Sequence, residues 1–322
     1  MSRFSRLMIV TGALLLMVFS ASATDVRSAT LGGAPYWKDA GDVDSWYGEI
    51  ANYSDMAWVN FDALDGDGDP DATSLAMTKS EEGWGSFYLG IGNGAADKLT
   101  IGYGYGLEMA TIGFVYDMYD AGDDSKFDFG FGIDYDMGDT NVDLAFDYGK
   151  DVDASSMGFA FRAFYAWRDG VTAVPVFVYG TTDDGADDAT TTTAMFFGLG
   201  FDYAINEDNS LVLGFNYGSG STSTGVDSLD TSTTTMPGFY AGIEHDLYDW
   251  LTVRCAGTKS WDKDQDDNAS YPFGFVFGLG LHVGDFDLDV AYREGALFDA
   301  FNWMLGGPGE LGVYAVQMKY YF

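Results

Sequence analysis

From Met56 onward, large apolar side chains recur at every second position, in segments of about ten residues separated by polar, Gly-rich or Asp-rich breaks. A helix repeats every 3.6 residues, so a period of two commits the chain to strands. Phe127, Phe129, Phe131, Ile133, Tyr135 and Met137 form one such row, with Asp128, Gly130, Gly132, Asp134 and Asp136 between them. Met195 to Ile205 and Phe273 to Val283 repeat the pattern. A soluble β-sandwich also alternates, but it buries its apolar face between two sheets. Here the opposite face carries Gly, Ala and Asp, while the large rows end in Tyr or Trp, as lipid contact with aromatic girdles requires. The expected fold is all-β: a transmembrane antiparallel β-barrel of about 14 strands. Closure needs an even number, and the alternative is 16, reached if Glu49 to Tyr53 adds a strand.

Turn chemistry sets register independently of alternation. Gly138-Asp139 as a two-residue turn puts Tyr135 opposite Val142, Ile133 opposite Leu144 and Phe131 opposite Phe146. Gly284-Asp285 puts Leu281 opposite Leu288 and His282 opposite Asp287. Asp169-Gly170 sets Tyr165 against Val174 and Phe161 against Val178. Pro175 falls inside a strand and cannot donate to the ladder, so a bulge is expected there. Tight breaks alternate with longer ones, such as Gly149 to Ser155, Thr181 to Thr192 and Gly295 to Leu311. In barrels of this type the short turns face the periplasm.

Residues 1–23 read as a signal peptide: Arg3 and Arg6 precede the apolar run Leu7 to Phe19, which ends in Ala21-Ser22-Ala23. That run is short of the roughly 20 residues a spanning helix needs. Residues 24–54 form an N-terminal segment, read as plug-like, and 55–322 the barrel. Asp+Glu 50 against Lys+Arg 15 gives a formal charge of -35, which excludes nucleic acid as a partner because nothing would neutralise its phosphates. The single Cys255 excludes an internal disulfide.

Two stretches carry a family resemblance. The final strand places Tyr314, Val316, Met318, Tyr320 and Phe322 on one face and resembles the C-terminal signal read by the outer-membrane barrel assembly machinery, which implies that machinery and outer-membrane lipid as partners. Arg27 to Ala34, followed by Asp39 and Asp42, is similar to the mature N-terminus of the long-chain fatty acid transporter superfamily. Where that family continues with Asn-Pro-Ala, this chain has Trp46 to Ala51.

Candidate chemistry lies mainly on the lumen face. Parity projects Asp128, Asp134, Asp136, Asp143 and Asp147 inward from one hairpin and Arg162 and Arg168 from the next strand, with Arg254, Arg293 and Lys319 elsewhere on the wall. Asp134 falls directly opposite Asp143, an unfavourable pair unless a cation or a basic residue relieves it. Asp65, Asp67, Asp69 and Asp71 have the alternate spacing that can wrap a calcium ion, but the sixth position of an EF-hand loop is Pro70 and the twelfth Ala76. No other cofactor is implied. His245 and His282 lack a Ser placed to complete a triad, so no enzyme is expected. The expected function is an outer-membrane, porin-like channel for small, preferentially cationic or polar solutes. A transporter of hydrophobic substrates and a closed structural or adhesive barrel are the alternatives.

Overall fold

The computed structural model describes residues 27, 31, 35–53, 55–64, 70–93, 97–121, 124–151, 154–185, 190–224, 230–293 and 313–322. Sixteen antiparallel strands form one sheet. They are β1 (Met56–Leu64), β2 (Pro70–Glu81), β3 (Gly85–Asn93), β4 (Asp97–Gly106), β5 (Ala110–Ala121), β6 (Asp124–Asp136), β7 (Thr140–Asp151) and β8 (Ala154–Arg168). The second half comprises β9 (Val171–Asp183), β10 (Thr191–Asn206), β11 (Asn209–Ser223), β12 (Thr231–Tyr248), β13 (Leu251–Asp264), β14 (Phe273–Val283), β15 (Phe286–Arg293) and β16 (Val313–Tyr321). A two-residue piece, Ala269–Ser270, extends the pairing of β13. Each strand pairs with the next, and β1 pairs with β16, so no edge is left open. The chain is therefore a closed transmembrane β-barrel of the bacterial outer-membrane type.

The expectation of 14 strands is corrected to 16. The extra strands do not come from Glu49 to Tyr53, because Tyr47–Ala51 is a 3-10 turn that follows a first one at Ala40–Asp44. Outside, Phe87, Ile91, Ile101, Phe197 and Phe215 are exposed along the strands, and Trp84, Trp167, Tyr248 and Trp250 ring the short-turn end. Apolar surface on this scale is compatible with lipid and not with water. On β16, Met318, Tyr320 and Phe322 lie exposed on the outside, while Gln317 and Lys319 are buried inside. The side chain of Tyr314 is outside the described residues.

The registers set by Gly138-Asp139 and Gly284-Asp285 match the structure pair for pair. The third hairpin does not: Tyr165 pairs with Ala173 and Phe161 with Phe177, because the ladder shifts between Ala166 and Arg168. One inserted residue exchanges the two faces of a strand, so Val174 and Val176 turn inward, where both are fully buried. The bulge expected at Pro175 is absent; its register against β10 is continuous. An irregularity falls instead at Pro237, between Thr235 and Gly238. The long break at Gly149 to Ser155 also contracts, since β7 runs to Asp151 and β8 begins at Ala154.

Candidate functional site

Residues 35–53 run through the lumen at the short-turn half of the barrel. Burial shows it: Tyr36, Trp37, Ala40, Val43, Trp46 and Ile50 are buried although they belong to no sheet. Glycines on the inward face make the space. A Cβ at Gly198, Gly200 or Gly214 would overlap the Tyr36 ring, and one at Gly130 would overlap Tyr47. A Cβ at Gly113 would strike the main-chain carbonyl of Tyr47, and one at Gly132 the backbone of Tyr47 and Gly48. Two tyrosines thus sit in two glycine sockets on different parts of the wall. Tyr36 and Trp37 join Val174, Val176, Phe196, Val212, Tyr240 and Ala256 in one apolar cluster.

Polar contacts hold the segment at two places. Against β6 to β8, the Lys38 ammonium donates to Glu49 Oε1 (2.5 Å), Asp134 Oδ2 (3.0 Å) and Asp143 Oδ1 (3.1 Å). Arg162 is fully buried. Its Nε donates to Asp143 Oδ2 (2.6 Å), its Nη2 to Asp42 Oδ2 (2.7 Å) and its Nη1 to the Trp37 carbonyl (2.8 Å). The guanidinium also lies 4.3 Å from the Trp46 ring centroid, a cation–π contact strengthened by burial. Asn52 Nδ2 bridges Glu49 Oε2 and Asp134 Oδ2, and Asn141 donates to Asp134. Glu49, Asp134 and Asp143 bring carboxylate oxygens within 4.8 Å of one another, yet the Lys38 ammonium occupies the centre, so this is an ammonium cage and not a metal centre.

Against β12 to β16, Arg27 forms a bidentate pair with Glu244 (both contacts 2.9 Å) and reaches Asp39 Oδ2 (3.2 Å). Arg254 donates to Glu244 Oε2 (2.5 Å) and to Asp289. Lys319 Nζ donates to Asp39 Oδ1 (3.1 Å) and lies 3.9 Å from Asp289. Asp39 also caps the first 3-10 turn through the Ala40 N–H and a capping box with Asp42.

Burial governs the titration of the segment. It pushes the Glu49 carboxyl up to about 7, helped by Asp143 and opposed by Lys38 and Arg162. Burial likewise raises Asp42, outweighing Arg162. For Lys38 burial acts downward, but Glu49, Asp143 and Asp134 outweigh it and raise its pKa.

On the long-loop side of the segment the carboxylates are left differently. Asp44, Asp117, Asp128 and Asp147 surround Tyr47, whose hydroxyl is pushed far above its ordinary range by burial and by these charges. Tyr88 and Tyr119 donate to Asp44 and Asp128. Lys98 reaches Asp117 at 3.5 Å, and Lys126 reaches Asp151 at 3.6 Å. Toward the short turns lies an open cavity of about 900 Å³, lined by Lys38, Glu49, Asn52, Asp134, Asp202 and Glu244 among others.

Among the residues singled out from sequence, Asp134, Asp143 and Arg162 meet at one point, Asp128 and Asp147 lie near Tyr47 on the long-loop side, and Arg254 joins the second network. Asp136 is exposed on the short-turn rim, accepting from the Gly138 N–H. Arg168 is exposed on the same rim, over Trp167. Arg293 pairs in register with Val276; its side chain, like that of Asp71, is outside the described residues, as are Asp65, Asp67 and Asp69. His282 bonds Asp287 (2.9 Å) and Thr252 (3.2 Å), while the Thr252 hydroxyl donates to Asp246 (2.5 Å) and is buried. That chain of contacts ties β12, β13, β14 and β15 together. Residues not anticipated include Asp117, Glu244 and Asp289 on the wall and, in the segment, Lys38, Asp42, Glu49 and the two tyrosines. The segment's signal was present: six inward glycines leave a lumen with room to fill, and Arg27 and Lys38 are the basic residues of 24–54.

No protein-family model matches the chain, and no curated protein matches it by sequence. Among solved structures it is similar to a bacterial polysaccharide outer membrane secretin, with a TM-score of 0.58 at 8% identity over 83% of this chain and 97% of that one. A TodX monoaromatic hydrocarbon channel mutant gives 0.47 at 10% identity over 94% and 99%. OmpT, an outer membrane protein of Vibrio cholerae, gives 0.44 at 11% over 83% and 95%. What the chain shares with the first of these is the fold of an outer-membrane β-barrel.

Proposed function

We propose that this barrel is a plugged outer-membrane channel that draws small polar, preferentially cationic solutes from the long-loop side, with residues 35–53 as the plug. The observation that carries the reading is the group of carboxylates on the long-loop side of the segment, around Tyr47. Four carboxylates, Asp44, Asp117, Asp128 and Asp147, converge there, and Lys98 reaches one of them. Low-dielectric walls focus such a charge and concentrate cations. Asp134 and Asp143 do not serve this role, since their oxygens are taken up by Lys38 and Arg162 and closed off from a passing ion. Selectivity is therefore assigned to Asp117, Asp128 and Asp147. A hydrophobic cargo is less well supported, because the apolar wall of the lumen is already filled by Tyr36 and Trp37.

The test is the reversal potential of the purified protein in planar bilayers under a salt gradient. Cation preference is expected, and combined D117N, D128N and D147N should move the potential toward the anion side, more at low salt than at high. Selectivity unchanged by the three substitutions overturns the assignment, and complete absence of conductance favours the closed structural barrel.

A further inference from the structure

The two networks that hold the segment differ in charge. Against β12 to β16, Arg27, Arg254 and Lys319 match Asp39, Glu244 and Asp289 one for one. Against β6 to β8, Lys38 and Arg162 face Asp42, Glu49, Asp134 and Asp143, a deficit of two positive charges when all are ionised. Both sets are largely buried, where an unmatched charge is costly. The cheapest correction for the second set is a proton.

We propose that residues 40–53 are a proton-linked flap: protonation of Glu49, held between Asp134 and Asp143, latches it to β6–β8, and loss of that proton releases it, while Arg27, Tyr36 and Asp39 keep the preceding stretch anchored to the opposite wall. The flap is tethered at both ends, by Asp39 to Lys319 and by the start of β1 at Met56. It can therefore swing without leaving the barrel.

The groups facing Glu49 can be enumerated. From the segment itself come Lys38, Tyr53 and, through the shared Arg162, Asp42; from β6 Asp134, from β7 Asp143 and from β8 Arg162. From β4 and β5 the packing is neutral: Gly104 against Ile50, Gly113 against Tyr47, and Thr111, which donates to the Gly48 carbonyl. The sign follows from the docked state holding the proton more tightly than the released one. Glu49 moves from an ordinary 4.5 up to about 7 on docking, which allows a change in the docking equilibrium of up to about 300-fold. Asp42 is shifted in the same direction. Docking is favoured at low pH and weakens as pH rises through about 7.

The proposal rests on the plug reading, so its test must not depend on conductance. Hydrogen exchange reads it directly. The N–H groups of Glu49 and Asn52 bond within the short 3-10 turns, and such turns do not persist once undocked. With the full chain in lipid vesicles, and after correction for the intrinsic rate, protection over 40–53 should fall by up to about 70-fold between about pH 5 and about pH 8. Protection of β11 at the Tyr36 socket, around Gly214, should not change. E49Q should keep 40–53 protected at the higher pH, and K38M should lower its protection at both. Equal wild-type protection at the two pH values overturns the proposal without any variant, as does an E49Q protein whose protection falls between them as far as that of the wild type. A pH-linked loss of protection in a protein that conducts nothing would retain the flap and reject the channel; conductance with pH-independent protection would do the reverse.

Discussion

The wall formed by β6 to β8 and the wall formed by β12 to β16 grip the same segment with different electrostatics. Opposite β12 to β16, each buried cation has a carboxylate and the set is neutral; opposite β6 to β8, carboxylates outnumber cations two to one. A matched network holds regardless of conditions, whereas a mismatched one holds only while something supplies the missing charge. The difference teaches that burial of ion pairs is not in itself an anchor; the balance of charge decides whether it is fixed or releasable.

Removing one guanidinium from each wall should break the comparison most strongly. R162A leaves Asp42 and Asp143 buried without their shared partner, and a loss of about 3–5 kcal/mol is expected. R254A should cost less, about 1–3 kcal/mol, because Arg27 still holds Glu244 and Lys319 still faces Asp289. Urea midpoints of the two variants in the same bilayer would read the contrast, and equal losses would contradict it.

The glycine sockets offer a second contrast. In G113A the new methyl meets a main-chain carbonyl of the segment, whereas in G198A it meets the far end of the Tyr36 ring, which can shift. Overpacking costs typically about 1–3 kcal/mol, and G113A should lie at the top of that range and G198A below it. Proteolytic sensitivity of residues 40–53 should rise in the first and change little in the second.

Titration sharpens the comparison further. Because the docked Glu49 carboxyl lies above its ordinary 4.5, its contribution to docking is complete below about 4.5 and is lost as pH rises through about 7. The raised Lys38 contributes throughout that window and would be lost only above its ordinary 10.5. Segment docking measured by a distance probe between residue 51 and β6 should therefore weaken over this range, and a probe between residue 36 and β11 should stay constant. A uniform response at both probes would mean the walls are equivalent.

The smallest effects are expected at the rim. Asp136 and Arg168 carry charge but lie exposed outside both networks, so D136N and R168A should each change stability by no more than about 0.5 kcal/mol. They should also leave the reversal potential where it is. A large shift from either would draw the lumen boundary differently.

Much of this molecule was legible one residue at a time. Alternation around Phe127 to Met137 identified which side chains meet lipid, and Gly138-Asp139 and Gly284-Asp285 set their pairings correctly, because a two-residue turn fixes register by local geometry. The hairpin at Asp169-Gly170 failed for a reason that is not local: the ladder shift between Ala166 and Arg168 reverses the faces and turns Val174 and Val176 inward to meet Tyr36 and Trp37. The facing pair Asp134 and Asp143 was legible too, together with its need for a counter-charge.

Which counter-charge arrived could not be read from the chain. Lys38 is separated from Asp134 by 96 positions and Arg27 from Glu244 by 217, and no periodicity links such residues. Period, parity and turn type are properties of neighbours, so the sequence alone determined a lipid-facing barrel with an acidic, glycine-rich interior. What fills that interior is a matter of closure. Only when β1 met β16 did the wall become a cavity of fixed width, and only then did the sockets at Gly113, Gly130, Gly198 and Gly200 select Tyr47 and Tyr36 and bring two unequal sets of charges against one short segment.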